Sequence, residues 1–398
     1  MKNKFVHINK PFLLTIALLI LPSPILNAWG LSYQIRALFV ALMDIYLLYK
    51  NKGMVSRRFF CYFLLMLLMG SITALAYFGI EFFVLLYCFI FYCFLVNNSK
   101  NEDISSFIDI ASNLMLILEI GAFIGFIYVI NGGAPTYYFY NPDGRINCVY
   151  LITFTNSWVG RFIRPAGIYD EPGALAFFII SIITLRIVYK KESNKTLLLL
   201  LLGNITFSLA YIICEVFLYF IIRKSIDVKL KITIDWITII IISTICILFY
   251  DLLNDMVFSR FMIDTKTNTL QGDNRSSQIT NSIKYIKDYG ILFGYYHHID
   301  NNIILSNYGT ITENPLTPIT RFGLFNSIPY TIFFLLGGIL LIMAPKNLIV
   351  IVPLLLFMQR PYYDALGYTG FFTLFLNIFA NRFYTSSSKI FKFNGKIP

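Results

Sequence analysis

Charge is scarce in this chain of 398 residues. Asp, Glu, Lys and Arg make up 13% of it and hydrophobic residues 57%, whereas soluble domains carry about 25% charged residues. That deficit, with a mean hydropathy of +0.69, excludes an ordinary soluble domain. Cysteine is thin as well: five of the six (Cys61, Cys88, Cys93, Cys214 and Cys246) lie inside apolar blocks, leaving Cys148 alone in a polar stretch. No disulfide framework follows from that distribution. The chain also lacks an HExxH pair, a Walker loop, a GxSxG elbow and an acidic DxD pair in its polar loops. His297 and His298 are adjacent, so their side chains diverge by about 100° on a helix or point to opposite faces of a strand. The expectation is no metal, no nucleotide and no other cofactor. No 20- to 50-residue period repeats, and no Pro- or Ser-rich linker divides the chain, which therefore reads as one domain, 1–398.

Against those absences stand long apolar blocks. They run about 17 to 25 residues, the length a helix needs to cross a hydrocarbon layer of about 30 Å, and a barrel would show alternating segments of about ten residues instead. The expected fold class is all-α: a polytopic integral membrane helical bundle. Spans are read at 11–28, 33–49, 59–76, 79–96, 107–130, 173–189, 196–207, 208–222, 233–250, 322–344, 347–358 and 365–381, about twelve in all. The N-terminus, with Lys2, Lys4 and Lys10 ahead of an apolar run, resembles a secretory signal. Leu26 spoils the cleavage site, however, so an uncleaved first helix is expected.

A net charge of +11 raises the question of a nucleic-acid partner. The basic residues are instead small groups between apolar blocks, which report membrane orientation, and no nucleic acid is expected. Residues 196–222 decide that orientation. If they break at "GNITFS" into a hairpin, the clusters Lys50/Lys52/Arg57/Arg58, Lys190/Lys191/Lys195, Arg223/Lys224/Lys229/Lys231 and Arg382/Lys389/Lys392/Lys396 share one side. That arrangement obeys the positive-inside rule, and a single span would not. Two long loops, 131–172 and 251–321, then face the outside.

The polar chemistry collects in those loops. "RPAGIYDEPGALAFF" (164–178) sets Arg164, Asp170 and Glu171 directly before a helix. Pro172 suits the first helical turn, and Glu171 sits where a helix dipole favours a carboxylate, so capping alone is one reading of that acid. Arg164 gains nothing from that dipole. It calls for an anion, either one of the two acids or a phosphate gripped by the guanidinium fork. Arg145 and Arg161 share its loop. Arg260, Arg275, Glu313 and Arg321 come from the second loop, and Arg360 in "QRPYY" from the last. For any one arginine a solvated face is explanation enough; together they point to an anionic, phosphate-bearing ligand. "TYYFYN", "GYYHH" and "RPYY" read as interfacial anchors, and are compatible with sugar stacking.

"RPAGIYDEPGALAFF" resembles the R-x-x-G-x-x-x-E-P-G signature of bacterial O-antigen polymerases of the Wzy type, which share an architecture with O-antigen ligases. "NRSSQITNSIKYIKDYGILFGYY" and "NPLTPITRFGLFNSIPY" are similar to their second-loop segments. The resemblance covers most of the chain in layout and about fifty residues in motif. Glu313-Asn314 stands where ligases carry a His-Asn pair. The implied activity is a glycosyltransferase of the bacterial cytoplasmic (inner) membrane, multi-pass, with its active site facing the periplasm. Its implied partners are the undecaprenyl-pyrophosphate-linked oligosaccharide donor and acceptor, membrane lipid and a chain-length regulator protein. Arg164, Glu171, Arg275 and Glu313 are the expected catalytic residues, with Arg145, Arg161, Asp170, Arg321 and Arg360 expected to bind substrate. Arginines would stabilise the departing diphosphate, and a carboxylate would take the acceptor proton. A ligase differs only in its acceptor. A non-enzymatic lipid-linked-oligosaccharide flippase would place charges within its spans and repeat its halves, whereas this chain keeps most of its charge in two unequal outer loops, with Arg36 and Arg186 the exceptions inside apolar blocks.

Overall fold

The computed structural model describes residues 9–50, 96, 99–141, 144–159, 162–223, 262–264, 269–270, 275–292, 294, 301–311, 314–343, 348–363 and 365–394. The expected spans at 59–76 and 233–250, and all but the last residue of 79–96, lie outside them. The described chain is largely helical. Its helices are α1 (Lys10–Thr15, continued as a π-turn over Ile16–Ile20), α2 (Ile25–Ala28), α3 (Tyr33–Lys50), α4 (Asn101–Ile130), α5 (Pro172–Val188), α6 (Asn194–Leu202) and α7 (Leu209–Ile222). They continue with α8 (Arg275–Tyr289), α9 (Asn301–Tyr308), α10 (Thr317–Asn326), α11 (Ile328–Met343), α12 (Ile351–Gln359) and α13 (Tyr368–Asn394).

Among the described residues one helix, α4, is long and apolar enough to cross a membrane. Its 30 residues reach about 45 Å. It starts six residues earlier than the apolar run implies, because Asp103 reaches back 2.9 Å to the Lys100 backbone N–H and closes a polar first turn. Ile117, Ile120, Phe123, Ile124 and Ile127 form an exposed apolar stripe, and Met115, Leu118, Ala122 and Phe126 face inward. An apolar face of that size suits lipid better than water. The other apolar helices have 10–17 residues.

The first expected span, 11–28, is not one helix. Pro22 and Pro24 remove donors and end the ladder after Ile20. Arg36 then closes the freed end: its guanidinium donates to the Leu21 and Ser23 carbonyls at 2.7 and 3.2 Å and to Asn27 Oδ1 at 2.7 Å. Arg186 is tied down in the same way, by Ser112, Thr196, Ser193 and the Lys191 carbonyl. Both arginines thus serve local structure.

Helix α5 is the centre of the bundle, buried from Ala174 to Ile187 on every face and packed by α4, α6, α7 and α12. A helix apolar all round belongs in such a position. The stretch 194–222 does break: α6 ends in a 3₁₀ turn, Gly203–Thr206, and Phe207 takes a left-handed conformation (φ 47°) before α7. Tyr211 on α7 donates back to the Leu200 carbonyl on α6 at 2.8 Å, so the chain reverses there.

The described chain is mostly helical, as the all-α expectation has it, and its few strands lie in the two long loops. Residues 137–163 form strands β1 (Tyr137–Tyr140), β2 (Ile146–Tyr150) and β3 (Thr153–Thr155) in an antiparallel meander, with the small hairpin β4 (Trp158–Val159) and β5 (Phe162–Ile163) after it. A further pair, β6 (Ile263–Asp264) and β7 (Thr269–Leu270), lies in the second loop. Aromatic and β-branched residues alternate with tight turns here, which favours strands over a structureless loop. Phe139, Val149 and Phe154 give the meander its own small core.

Candidate functional site

The meander is fastened to the bundle by the segment that follows it. Gly167, at φ +62°, lets the chain turn so that its N–H meets Thr153 Oγ1 at 3.0 Å and its carbonyl accepts from Phe154 at 2.8 Å. Tyr169 then buries its ring against Phe178 and donates to the Leu19 carbonyl at 3.1 Å. These contacts deliver Asp170 and Glu171 to the N-terminal end of α5.

Glu171 is the N-cap residue and Pro172 opens the helix, yet the Glu171 carboxylate makes no capping hydrogen bond. It goes instead to Arg360, whose Nη2 donates to Glu171 Oε1. Capping is therefore corrected as an account of this side chain; the backbone position stands, and the carboxylate serves an ion pair. Arg360 follows the last turn of α12, where a cation complements the helix dipole, as Glu171 does at the start of α5. Gly173 makes the contact possible, since a Cβ there would lie 2.6 Å from Arg360 Nη2. Each residue of "EPG" thus has a separate physical reason.

Arg145, in the β1–β2 turn, completes the group. Its guanidinium is 3.8 Å from Asp170 and 3.9 Å from Glu171. Side-chain exposure falls from 47% at Arg145 through 38% at Asp170 and 26% at Glu171 to 7% at Arg360. Two cations and two anions therefore form a file from the surface into the bundle. Its inner end is the Tyr368 hydroxyl, 3.4 Å from Arg360 Nη1. Burial opposes the charge on Arg360, but Tyr368, Glu171 and Asp170 outweigh it and hold the guanidinium protonated well above its usual range. Asp170 is pushed up to about 6, first by desolvation and then by the neighbouring Glu171, against the pull of Arg360 and Arg145.

Arg164 has other partners. Its Nη2 donates to the Phe207 carbonyl at 2.9 Å and its Nη1 to Ser157 Oγ at 3.4 Å. The anion expected beside Arg164 is met, in the described contacts, by carbonyl and hydroxyl oxygens, and the carboxylates go to Arg145 and Arg360. Phe207 is the residue held at positive φ, and its ring packs on Phe126 at 5.4 Å between centroids. Arg164 thus joins the meander to the tip of the α6–α7 reversal.

Arg321, on α10, lies with its guanidinium carbon 5.0 Å from the centre of the Phe322 ring, and Phe322 meets Tyr363 at 6.2 Å, three residues beyond Arg360. Arg275 is the first residue of α8. Arg161, Arg260, His297, His298 and Glu313 lie outside the described residues. Asn314, beside Glu313, is a buried pin: it donates to Ser282 Oγ at 3.0 Å and the Ile311 carbonyl at 2.9 Å and accepts from the Leu316 N–H at 2.9 Å.

Tyr368 was missed by sequence reasoning, because it looks like one more tyrosine at a helix start. Three acids inside apolar runs, Asp44, Glu119 and Glu215, carry a sequence signal of their own, since a lone carboxylate in such a run is unusual. Comparisons of the chain with models of known families, with curated proteins and with solved structures return no match.

Proposed function

We propose that the chain is a multi-pass enzyme of the bacterial cytoplasmic membrane with about twelve spans. In this reading it polymerises oligosaccharide repeat units carried on undecaprenyl pyrophosphate at the outer face. The observation that carries the proposal is the file Arg145, Asp170, Glu171 and Arg360, gathered from three separate parts of the chain at one end of the central helix. The likeness of "RPAGIYDEPGALAFF" to the Wzy signature supports it, since the acids of the file lie within that stretch.

The reaction is a displacement at an anomeric carbon. An acceptor hydroxyl forms the new C–O bond, the bond to the diphosphate breaks with its electron pair, and the hydroxyl proton passes to a base. Arg145 is the cation of the file best placed for the diphosphate, being its most exposed member. Preorganised positive charge at a leaving anion is worth most where water is thin. Asp170 suits the base better than Glu171 does. It is held near the pH at which the protein would work, while Glu171 is engaged with Arg360. Arg360 and Arg164 are positioning residues, the first setting Glu171 and the second the meander.

Arg145→Ala is expected to lower chain extension by about 10²- to 10³-fold, on the scale of losing one preorganised charge contact, with unaltered accumulation in the membrane. Arg145→Lys should recover part of it, because an ammonium keeps the charge and loses the fork. Glycan ladders from cells carrying each variant report the outcome. Wild-type extension by Arg145→Ala would remove Arg145 from the site.

A further inference from the structure

Glu119 lies well inside α4 on its inward stripe, between Leu118 and Ala122. Its side chain is fully buried, and neither carboxylate oxygen has a hydrogen-bond partner among the described residues. Among the described residues, the elements packed around α4 direct their cations elsewhere. From α5, Arg186 is saturated by the hydroxyls and carbonyl described above and lies 3.7 Å from Asp109, on the opposite side of Ser112 from Glu119 in α4. From α1, Lys10 is 3.8 Å from Asp103 in the first turn of α4. From α6 and its 3₁₀ turn, Lys195 bonds Asn113 at 2.7 Å, and no charged residue follows before Glu215. From β2 come Cys148 and Tyr150, neither of them cationic.

The groups that do approach belong to α7. Tyr211 is within electrostatic range of both Glu119 and Glu215. Its hydroxyl proton is engaged by the Leu199 and Leu200 carbonyls. Glu215 accepts from Asn204 Nδ2 at 2.8 Å. Among the described residues an ionised Glu119 would have neither donor nor counter-cation, and a carboxylate so placed in a low-dielectric interior takes up a proton. An ionisable residue inside a membrane-crossing helix is retained at a cost and marks function.

We infer that Glu119 is a proton-binding site on the buried face of the membrane-crossing helix, beneath the α6–α7 tip. The ligand is the proton. The site is distinct from the Arg145–Arg360 file and does not rest on the polymer reading. It lies two turns below Phe126, whose ring meets both Phe207 and Phe162. Ionising Glu119 would insert a bare charge beneath the contact that seats Arg164.

Infrared difference spectroscopy of the full-length protein in lipid nanodiscs at neutral pH tests this directly. Wild type minus Glu119→Gln should show the carbonyl stretch of a protonated carboxylic acid in an apolar setting, absent from the variant and downshifted in D₂O. Glu215→Gln should leave that band in place. Asp44, buried on α3 without hydrogen bonds to its carboxylate among the described residues, should contribute acid signal that survives Glu119→Gln. A difference spectrum showing only a carboxylate band would mean an ionised Glu119 and overturn the inference. Stability gives a second readout, because glutamine mimics the neutral acid. The variant should melt above wild type at neutral pH, because unfolding there releases the Glu119 proton and favours the unfolded wild type, whereas a large loss of stability in the variant at neutral pH would again mean that the charge is needed.

Discussion

Arg360→Ala is expected to destabilise the protein by about 3–5 kcal/mol, the cost of removing one partner from a buried ion pair. The value should fall toward the lower end because Glu171 keeps 26% of its side-chain surface and water can reach it. The loss has three sources: Glu171 without its cation, the Tyr368 hydroxyl without its donor, and a void where the guanidinium lay against Gly173. Thermal unfolding in detergent micelles measures it. The double variant Glu171→Ala/Arg360→Ala should be less damaged than the sum of the two singles, since neither charge is then left alone. Additive losses would show that the pair does not act as a unit. Arg360→Lys should rescue only part, having no planar fork to reach Glu171 and Tyr368 together.

Asp170→Asn is expected to reduce chain extension by about 10²-fold or more, the usual contribution of a positioned general base. The pH profile identifies the residue more sharply than the magnitude does. A base works when ionised, so kcat/KM of the wild type should rise through about pH 6, where Asp170 titrates, and then level off. Asparagine should remove that limb. Stability runs the other way. With its folded value raised from 3.8 to about 6, Asp170 favours the native state while protonated. Its contribution therefore declines as pH climbs between those values, and Asp170→Asn should escape that decline. A variant that keeps both its rate and its acid limb would exclude Asp170 as the base.

Local signals carried the helix starts. The Glu171 N-cap and the Pro172 opening follow from residue types adjacent in sequence, and so does the break at "GNITFS". The site was legible as a set of arginines and acids, and its pairing was not. Arg360 and Glu171 are 189 positions apart, and nothing in a single sequence tells Arg360 from Arg164 as the cation that meets the acid. The strands of the first loop were hidden because "TYYFYN" suits an interfacial anchor as well as a β-edge. Arg36 and Arg186 stand out in the sequence only as charges inside apolar blocks, and the carbonyls and hydroxyls that hold them become visible only once the helix ends are placed.

The most direct test of the central claim is the surface glycan of the host after deletion of the gene, compared on a gel with that of the parent. The account expects the ladder to collapse to core bearing a single repeat unit, and to return with the wild-type gene but not with Asp170→Asn. Long chains left on the lipid carrier with bare core would identify a ligase, and single units trapped on the inner leaflet a flippase. An unchanged ladder would contradict the account outright.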